Sequence, residues 1–385
     1  MSMIHCRHFN GYKPCGKSEL CDEACESLNI PATRVLVIHL EALGAVLRST
    51  ALLAPIKRKY PFAHITWVTQ KPAEQLLLHN PLIDKVIGFE AANLLGLTSL
   101  QFDVTFCIDK SFQATGLAAH IQTELLYGFE LNKQTGAIVP VTAAANELWS
   151  LGLSNKKKFF ENEKSETQLI CEALELGPFQ RDAYILKLSP EEKSEALLRK
   201  RTWSQNAKLV IGINTGCSNV ITYKKLSVKA HRDLIAKISK NSDFQIVLLG
   251  GKEDSARNLE IGHALNVIQS STEKGLRDGI VSCEACDIIV SGDSLGMHIG
   301  IALKKYMIAW FGPTCAQEID LYENGVKVLS EAPCGPCWKR DCQQPTMCYD
   351  LVDLDQIYAG ILLGQKRILR NHGSKDINHS DSIHW

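Results

Sequence analysis

Short apolar runs and amphipathic stretches alternate along this chain in two blocks. In the first block, residues 35–40 read VLVIHL, a run suited to a strand buried on both faces. Val46 to Tyr60 then carries Leu47, Leu52, Leu53 and Ile56 near helical spacing, and Pro61 stops it. His64–Thr69, Lys85–Phe89 and Val104–Ile108 read as further strands, with helices over Pro72–His79 and Asn93–Leu100. Residues 123–160 show no clear period; with helices over Glu166–Glu175 and Glu191–Lys200 they read as an insertion and a bridge. Within that stretch Lys156, Lys157 and Lys158 read as a solvated face.

In the second block, Leu209–Ile213, Gln245–Leu249, Cys286–Val290 and Tyr306–Phe311 read as strands. Helices are expected over Ser227–Lys240, Ser255–Ala264, Leu276–Glu284 and Val352–Leu369. Strands alternating with helices predict an α/β fold with parallel sheets and right-handed crossovers. The expected layout is a Cys-rich segment over 1–30, one Rossmann-like domain over 31–190 and a second over 191–350. A helix over 351–370 and a polar, disordered tail over 371–385 complete it.

Composition narrows the function classes. Forty-two basic and 42 acidic residues give zero formal net charge, so no global field draws the chain to nucleic acid. No apolar run approaches the roughly 20 residues needed to cross a bilayer, and the N-terminus lacks a secretory h-region. These features predict a cytoplasmic protein.

Cysteine changes the picture. There are 14, eight of them in two tight groups. Cys6, Cys15, Cys21 and Cys25 lie in a segment with little apolar material. Four thiolates on zinc or iron, or an iron–sulfur cluster, would supply the missing stabilisation; the alternative is a flexible tail with free thiols. Cys334, Cys337, Cys342 and Cys348 fall within 15 residues and favour a closed, structural metal site. Cys283 and Cys286 stand apart at helical spacing and read as core or surface thiols.

Candidate chemistry gathers at strand ends. Ser291 to Leu303, SGDSLGMHIGIAL, follows a strand and opens a helix. The N–H groups and positive dipole end of such a helix can hold phosphate, with Asp293 or Ser294 as N-cap. Asp109 and Lys110 stand at the carboxyl end of a first-block strand, the edge at which open α/β sheets bind ligands.

Five ordered motifs carry a family resemblance. RVLVIHLEALGAVLRSTALL, IGINTGCS with TYKKLS, IVLLGGKED, SGDSLGMHIGIAL and AWFGPT together resemble glycosyltransferase family 9, the ADP-heptose heptosyltransferases. The resemblance implies a GT-B fold: two Rossmann-like domains with the active site in the cleft between them. It implies an inverting transfer of heptose, or a related sugar, from an ADP-sugar to an envelope glycan, a lipid-linked acceptor or a protein hydroxyl. The residues it matches to the donor are Thr215, Ser218, Lys224, Lys225, Gly250, Gly251, Asp293, Ser294, Leu295, Gly296, Met297 and His298. Lys224 would neutralise the leaving diphosphate, and Gly296 would let the backbone approach it. No catalytic metal is expected; the cysteine-bound iron or zinc would be structural, shaping the acceptor side or an oligomer contact. An iron-binding autotransporter heptosyltransferase branch of the family shares that feature. The protein would work in the cytoplasm, with a peripheral place at the inner membrane.

One position departs from the family. Many members carry an acid after the glycine of the first turn as catalytic base, whereas here Gly44 is followed by Ala45. Asp109 is the replacement candidate and Glu41 the second. Two alternatives follow: a relative that binds a nucleotide sugar without turnover, or a transferase using another nucleotide sugar.

Overall fold

The protein is described from a computed structural model covering residues 2–377, and these fall into two compact units. Residues 2–157 and 164–187 form the first; residues 158–163 and 188 onward form the second. No helix among the described residues is long and apolar enough to cross a membrane.

The first unit is built on Thr33–Ile38 (β1), Ala63–Thr69 (β2), Lys85–Gly88 (β3), Gln101–Cys107 (β4), Gln122–Leu131 (β5) and Ile138–Pro140 (β6). Their order across the sheet is β3-β2-β1-β4-β5-β6, parallel throughout except for β6. Successive side chains of a strand point to opposite faces. Val35, Val37, Trp67 and Phe106 therefore fill one core layer, while Leu36, Ile38, Val68 and Cys107 fill the other. That double burial explains why β1 reads as a nearly unbroken apolar run.

The second unit holds Leu209–Asn214 (β7), Phe244–Leu249 (β8), Ile268–Gln269 (β9), Ile288–Gly292 (β10), Tyr306–Phe311 (β11) and Gly325–Leu329 (β12). All six are parallel, in the order β12-β11-β10-β7-β8-β9. Both sheets thus run 3-2-1-4-5-6, the Rossmann order, whose ligand crevice opens where the order reverses. Those places are the carboxyl ends of β1 and β4 in the first unit, and of β7 and β10 in the second.

Helix ends follow local chemistry. Ser189 and Glu192 form a reciprocal capping box ahead of the helix Pro190–Ser204. The C-terminal helix runs Leu354–Ile377, past the expected start of the polar tail, and residues 378–385 of that tail lie outside the described residues. Two expectations need correction. Residues 122–131 are a ten-residue strand rather than irregular chain. Lys158 is not simply solvated: its Nζ lies 4.1 Å over the Trp338 ring.

Cys283 and Cys286 are core. Cys286 packs against Gly212, where a Cβ would come within 2.8 Å of its Sγ. Burial pushes the Cys283 thiol up to about 12 and raises Cys286 well above the ordinary thiol range.

His231 gives the second unit a pH dependence. It is buried in the helix Val228–Ile238, with Nδ1 3.0 Å from the Ser227 carbonyl. Burial, then the Arg257 charge, lowers its pKa to about 4. The unfolded chain takes up this proton near 6.5, whereas the fold resists until about 4. Stability should therefore be intact above pH 6.5 and fall as pH drops through this window, by about 3 kcal/mol from this group. Melting curves of the wild type and His231→Gln between pH 7 and pH 4 check this. The variant should show the shallower decline; equal slopes would remove His231 as the cause.

Candidate functional site

In the second unit the crevice is closed over by one amide. Asn214, the last residue of β7, donates from Nδ2 to Ser291 Oγ at 3.1 Å, to Ser294 Oγ at 3.0 Å and to the Gly216 carbonyl at 2.9 Å. This ties the loop after β7 to the loop after β10. It also explains Gly296: a Cβ there would meet Asn214 Cγ at 2.6 Å.

The tie bears on the helix Leu295–Ala302. Ser294 occupies its N-cap position, yet its side chain does not cap the helix. The hydroxyl is engaged by Asn214 and Ser291 instead. The N-terminal N–H groups of the helix are thus left without a side-chain cap, an arrangement that suits an anion.

Charge is placed beside this helix end. Lys224 Nζ lies 3.8 Å from Asp293 Oδ2, and His298 Nε2 lies 3.9 Å from Asp293 Oδ1. All three side chains are at least four-fifths buried. The backbone of Lys224 presses on Gly292, where a Cβ would meet its carbonyl at 2.1 Å. Lys224 and Asp293 are thereby brought together from stretches far apart in the chain.

The other donor candidates divide into two kinds. Ser218 is exposed, while Lys225 and Leu295 are partly buried at the loop and helix start. Thr215 and Met297 are fully buried. The Thr215 hydroxyl bonds the Leu249 carbonyl at 3.1 Å and Asn258 Oδ1 at 2.5 Å, so it holds the loop. Gly250 and Gly251 lie against Asp254, whose Oδ2 accepts the Gly251 N–H at 3.0 Å. A Cβ on Gly216 would collide with the same carboxylate. Burial raises the pKa of Asp254. Sequence reading missed both Asn214 and Asp254.

The second cysteine group rests on these loops. Cys337 and Trp338 both donate their N–H to the Pro313 carbonyl, at 3.0 and 2.9 Å. Tyr223, next to Lys224, donates its hydroxyl to the Lys339 carbonyl. Burial, then Cys337, Cys342 and Cys334, pushes the Cys348 thiol up to about 11. Cys342 packs against the small apolar cluster of Ile221, Tyr223, Ala332 and Cys348. Even so, among the described residues no group of three or more His, Cys, Asp or Glu side chains is arranged to hold a metal ion. The ligand sets expected at both cysteine groups are not formed in this arrangement.

In the first unit the strand ends are tied by a carboxylate. Asp109 follows β4; its Oδ2 accepts the Leu40 N–H in a short hydrogen bond and the Glu41 N–H at 3.3 Å. Its Oδ1 lies 3.3 Å from His39 Nε2. Burial lowers the pKa of His39 against the opposing pull of Asp109, which favours the neutral imidazole. Glu41 is exposed and accepts from Gln70 Nε2 at 2.6 Å. Ala45 lies in the helix Leu43–Ser49, partly buried and without an ionisable group.

Comparison with known proteins follows from this geometry. Lipopolysaccharide heptosyltransferase 1 of Campylobacter coli is 22% identical over 302 residues, or 73% of this chain and 84% of that protein. Lipopolysaccharide heptosyltransferase 2 of Salmonella typhimurium is 33% identical over 90 residues, 22% of this chain. That match spans only 26% of the relative's length.

Solved structures share the fold. Glycosyl transferase family 9 from Veillonella parvula has a TM-score of 0.68 at 16% identity, over 88% of this chain and 98% of that one. The E. coli ADP-heptose lipopolysaccharide heptosyltransferase II has 0.59 at 19%, over 86% and 99%. The iron-containing dodecameric glycosyltransferase TibC of enterotoxigenic E. coli has 0.52 at 10%, over 88% and 77%. Residues 184–347, which include the whole crevice of the second unit, match the family described as glycosyltransferase family 9 (heptosyltransferase).

Proposed function

We propose that the protein is an inverting glycosyltransferase that takes a heptose, or a related sugar, from an ADP-sugar and delivers it to a hydroxyl. The observation that carries this reading is the uncapped helix start at Ser294–Leu295 with Lys224 held beside it. That pairing supplies N–H donors, a dipole and a cation to one diphosphate. ADP-heptose is named in the description of the E. coli relative that shares the fold.

In the proposed reaction Asp109 accepts the proton of the acceptor hydroxyl. The hydroxyl oxygen attacks the anomeric carbon, and the bond to the diphosphate oxygen breaks on the opposite face. ADP leaves with the electron pair of that bond. The helix N-terminus and Lys224 stabilise the charge that builds on it. The acceptor is an envelope glycan, a lipid-linked sugar or a protein side chain; a lipid-linked one would bring the protein to the cytoplasmic side of the inner membrane. The cysteines at 334–348 would act structurally by bracing the Tyr223–Lys224 loop, with iron or zinc as their metal. TibC is described as iron-containing.

A second reading rests on Ala45: a protein that holds the donor without transferring it. Melting temperatures with ADP-, UDP- and GDP-sugars test the common part. A ligand that binds only the folded state at a hundredfold excess over its Kd adds about 2.7 kcal/mol. ADP-heptose should raise the melting temperature by several degrees and the others should not. No shift with any ADP-sugar would sink both readings; a shift without product, across glycan and peptide acceptors, would favour the second.

A further inference from the structure

We propose that the N-terminal segment is a metal-organised clasp: Cys6, Cys15, Cys21 and Cys25 bind one thiophilic divalent cation, zinc or ferrous iron. The site is separate from the cysteines at 334–348.

The segment is built inside out. Four of its large apolar side chains face solvent: Ile4, Tyr12, Leu20 and Ile30 are all 48% exposed or more. A small pocket within it is lined by Cys6, Cys15, Cys21 and Cys25 together with Met3, Phe9, Asp22 and Leu28. Beyond one turn of helix at Ser2–His5, no helix or strand appears before Thr33 among the described residues. Hydrophobic burial therefore has little to offer these thirty residues, and some other interaction must offset the entropy of ordering them. Four thiolates on one cation do this in small loop-rich units.

The details of the pocket fit a single ion. The Asn29 N–H points at Cys6 Sγ at 3.4 Å, the kind of donor that supports a thiolate. Binding would release the thiol protons to solvent, leaving a site of net charge two minus with a divalent cation. Four cysteine sulfurs around one pocket match the ligand number of a single tetrahedral ion. The sulfurs line the pocket without standing at ligand spacing, so the cation would draw them inward.

The clasp has a purpose in the fold. Arg7 reaches Asp84 Oδ1 at 2.6 Å and the Phe62 carbonyl at 3.2 Å. Asp84 Oδ2 in turn accepts the Ile65 N–H of β2 at 2.7 Å. Arg34 at the start of β1 donates to the His5 carbonyl at 3.4 Å. A cation that orders residues 6–25 would thus fix the amino ends of β1 and β2.

Elemental analysis of the full chain, purified without added metal, tests the proposal. Cys15→Ser/Cys21→Ser should lose one equivalent of zinc or iron per chain relative to wild type. Cys334→Ser/Cys337→Ser should keep that equivalent. Unchanged metal content in the first variant would overturn the proposal, as would several irons with acid-labile sulfide at this segment. A readout on the wild type covers the case in which the variant does not fold. Alkylation followed by mass spectrometry should find Cys6, Cys15, Cys21 and Cys25 protected, then reactive together when a chelator removes the metal. Alkylation of the four without chelator, or a disulfide between any two, would count against the clasp. Neither result depends on whether the protein transfers a sugar.

Discussion

Asp109→Asn is expected to lower sugar transfer by about 10³-fold, within the range for a positioned general base, while ADP-sugar binding is retained. The carboxylate is held by two backbone N–H groups and by His39, so its direction is fixed before any acceptor arrives. An orienting partner of this kind is what makes a base effective. Asparagine keeps one oxygen for the Leu40 and Glu41 N–H groups, but it cannot take a proton. The turn should persist and the chemistry should not. Product formation over a fixed time, alongside the melting shift with ADP-sugar, separates the two. Glu41→Gln is the matched control and should cost less than about tenfold, because Glu41 is exposed and its carboxylate accepts from Gln70. If the two variants exchange their effects, the base is Glu41 and Asp109 is a positioning residue.

Lys224→Ala should cost about 10²-fold in kcat, the loss typical of removing one group aimed at developing charge. Its ammonium is largely buried beside Asp293 and the N-terminus of the helix Leu295–Ala302. In low dielectric such a charge acts more strongly than at a surface. Removing it also leaves Asp293 without its nearest cation, so KM for the donor should rise as well. Lys224→Arg keeps the charge with a planar head and a longer reach, and should restore only part of the rate. An unchanged kcat in Lys224→Ala would exclude the lysine from leaving-group stabilisation.

Much of this fold was legible because its strands are buried on both faces. β1, β7, β8, β10 and β11 each hold at least three consecutive buried apolar residues, and pattern alone finds them to within a residue or two. β5 was not legible. Its residues QTELLYGFEL mix two glutamates with Gly128 at φ +90°, and only two of its ten residues are buried. β12, GVKVL, is a short edge strand with only one buried residue, and escaped for the same reason. At the site, Lys224, Asp293 and Gly296 were found because they lie in contiguous motifs. Asn214 and Asp254 act across the sheet: Asn214 meets residues 77 and 80 positions further along the chain. No local spacing carries such a contact.

The two ties at the strand ends share a location and differ in chemistry. One uses a carboxylate after β4 to grip the turn beyond β1; the other uses an amide at the end of β7 to grip the turn beyond β10. What recurs is a place in the topology, so residue-by-residue comparison of the two halves registers nothing there. Distant relatives are better compared by asking which side chain bridges the reversal point, whatever its type. A substitution that looks radical in an alignment can then be read as a change of latch on an unchanged door.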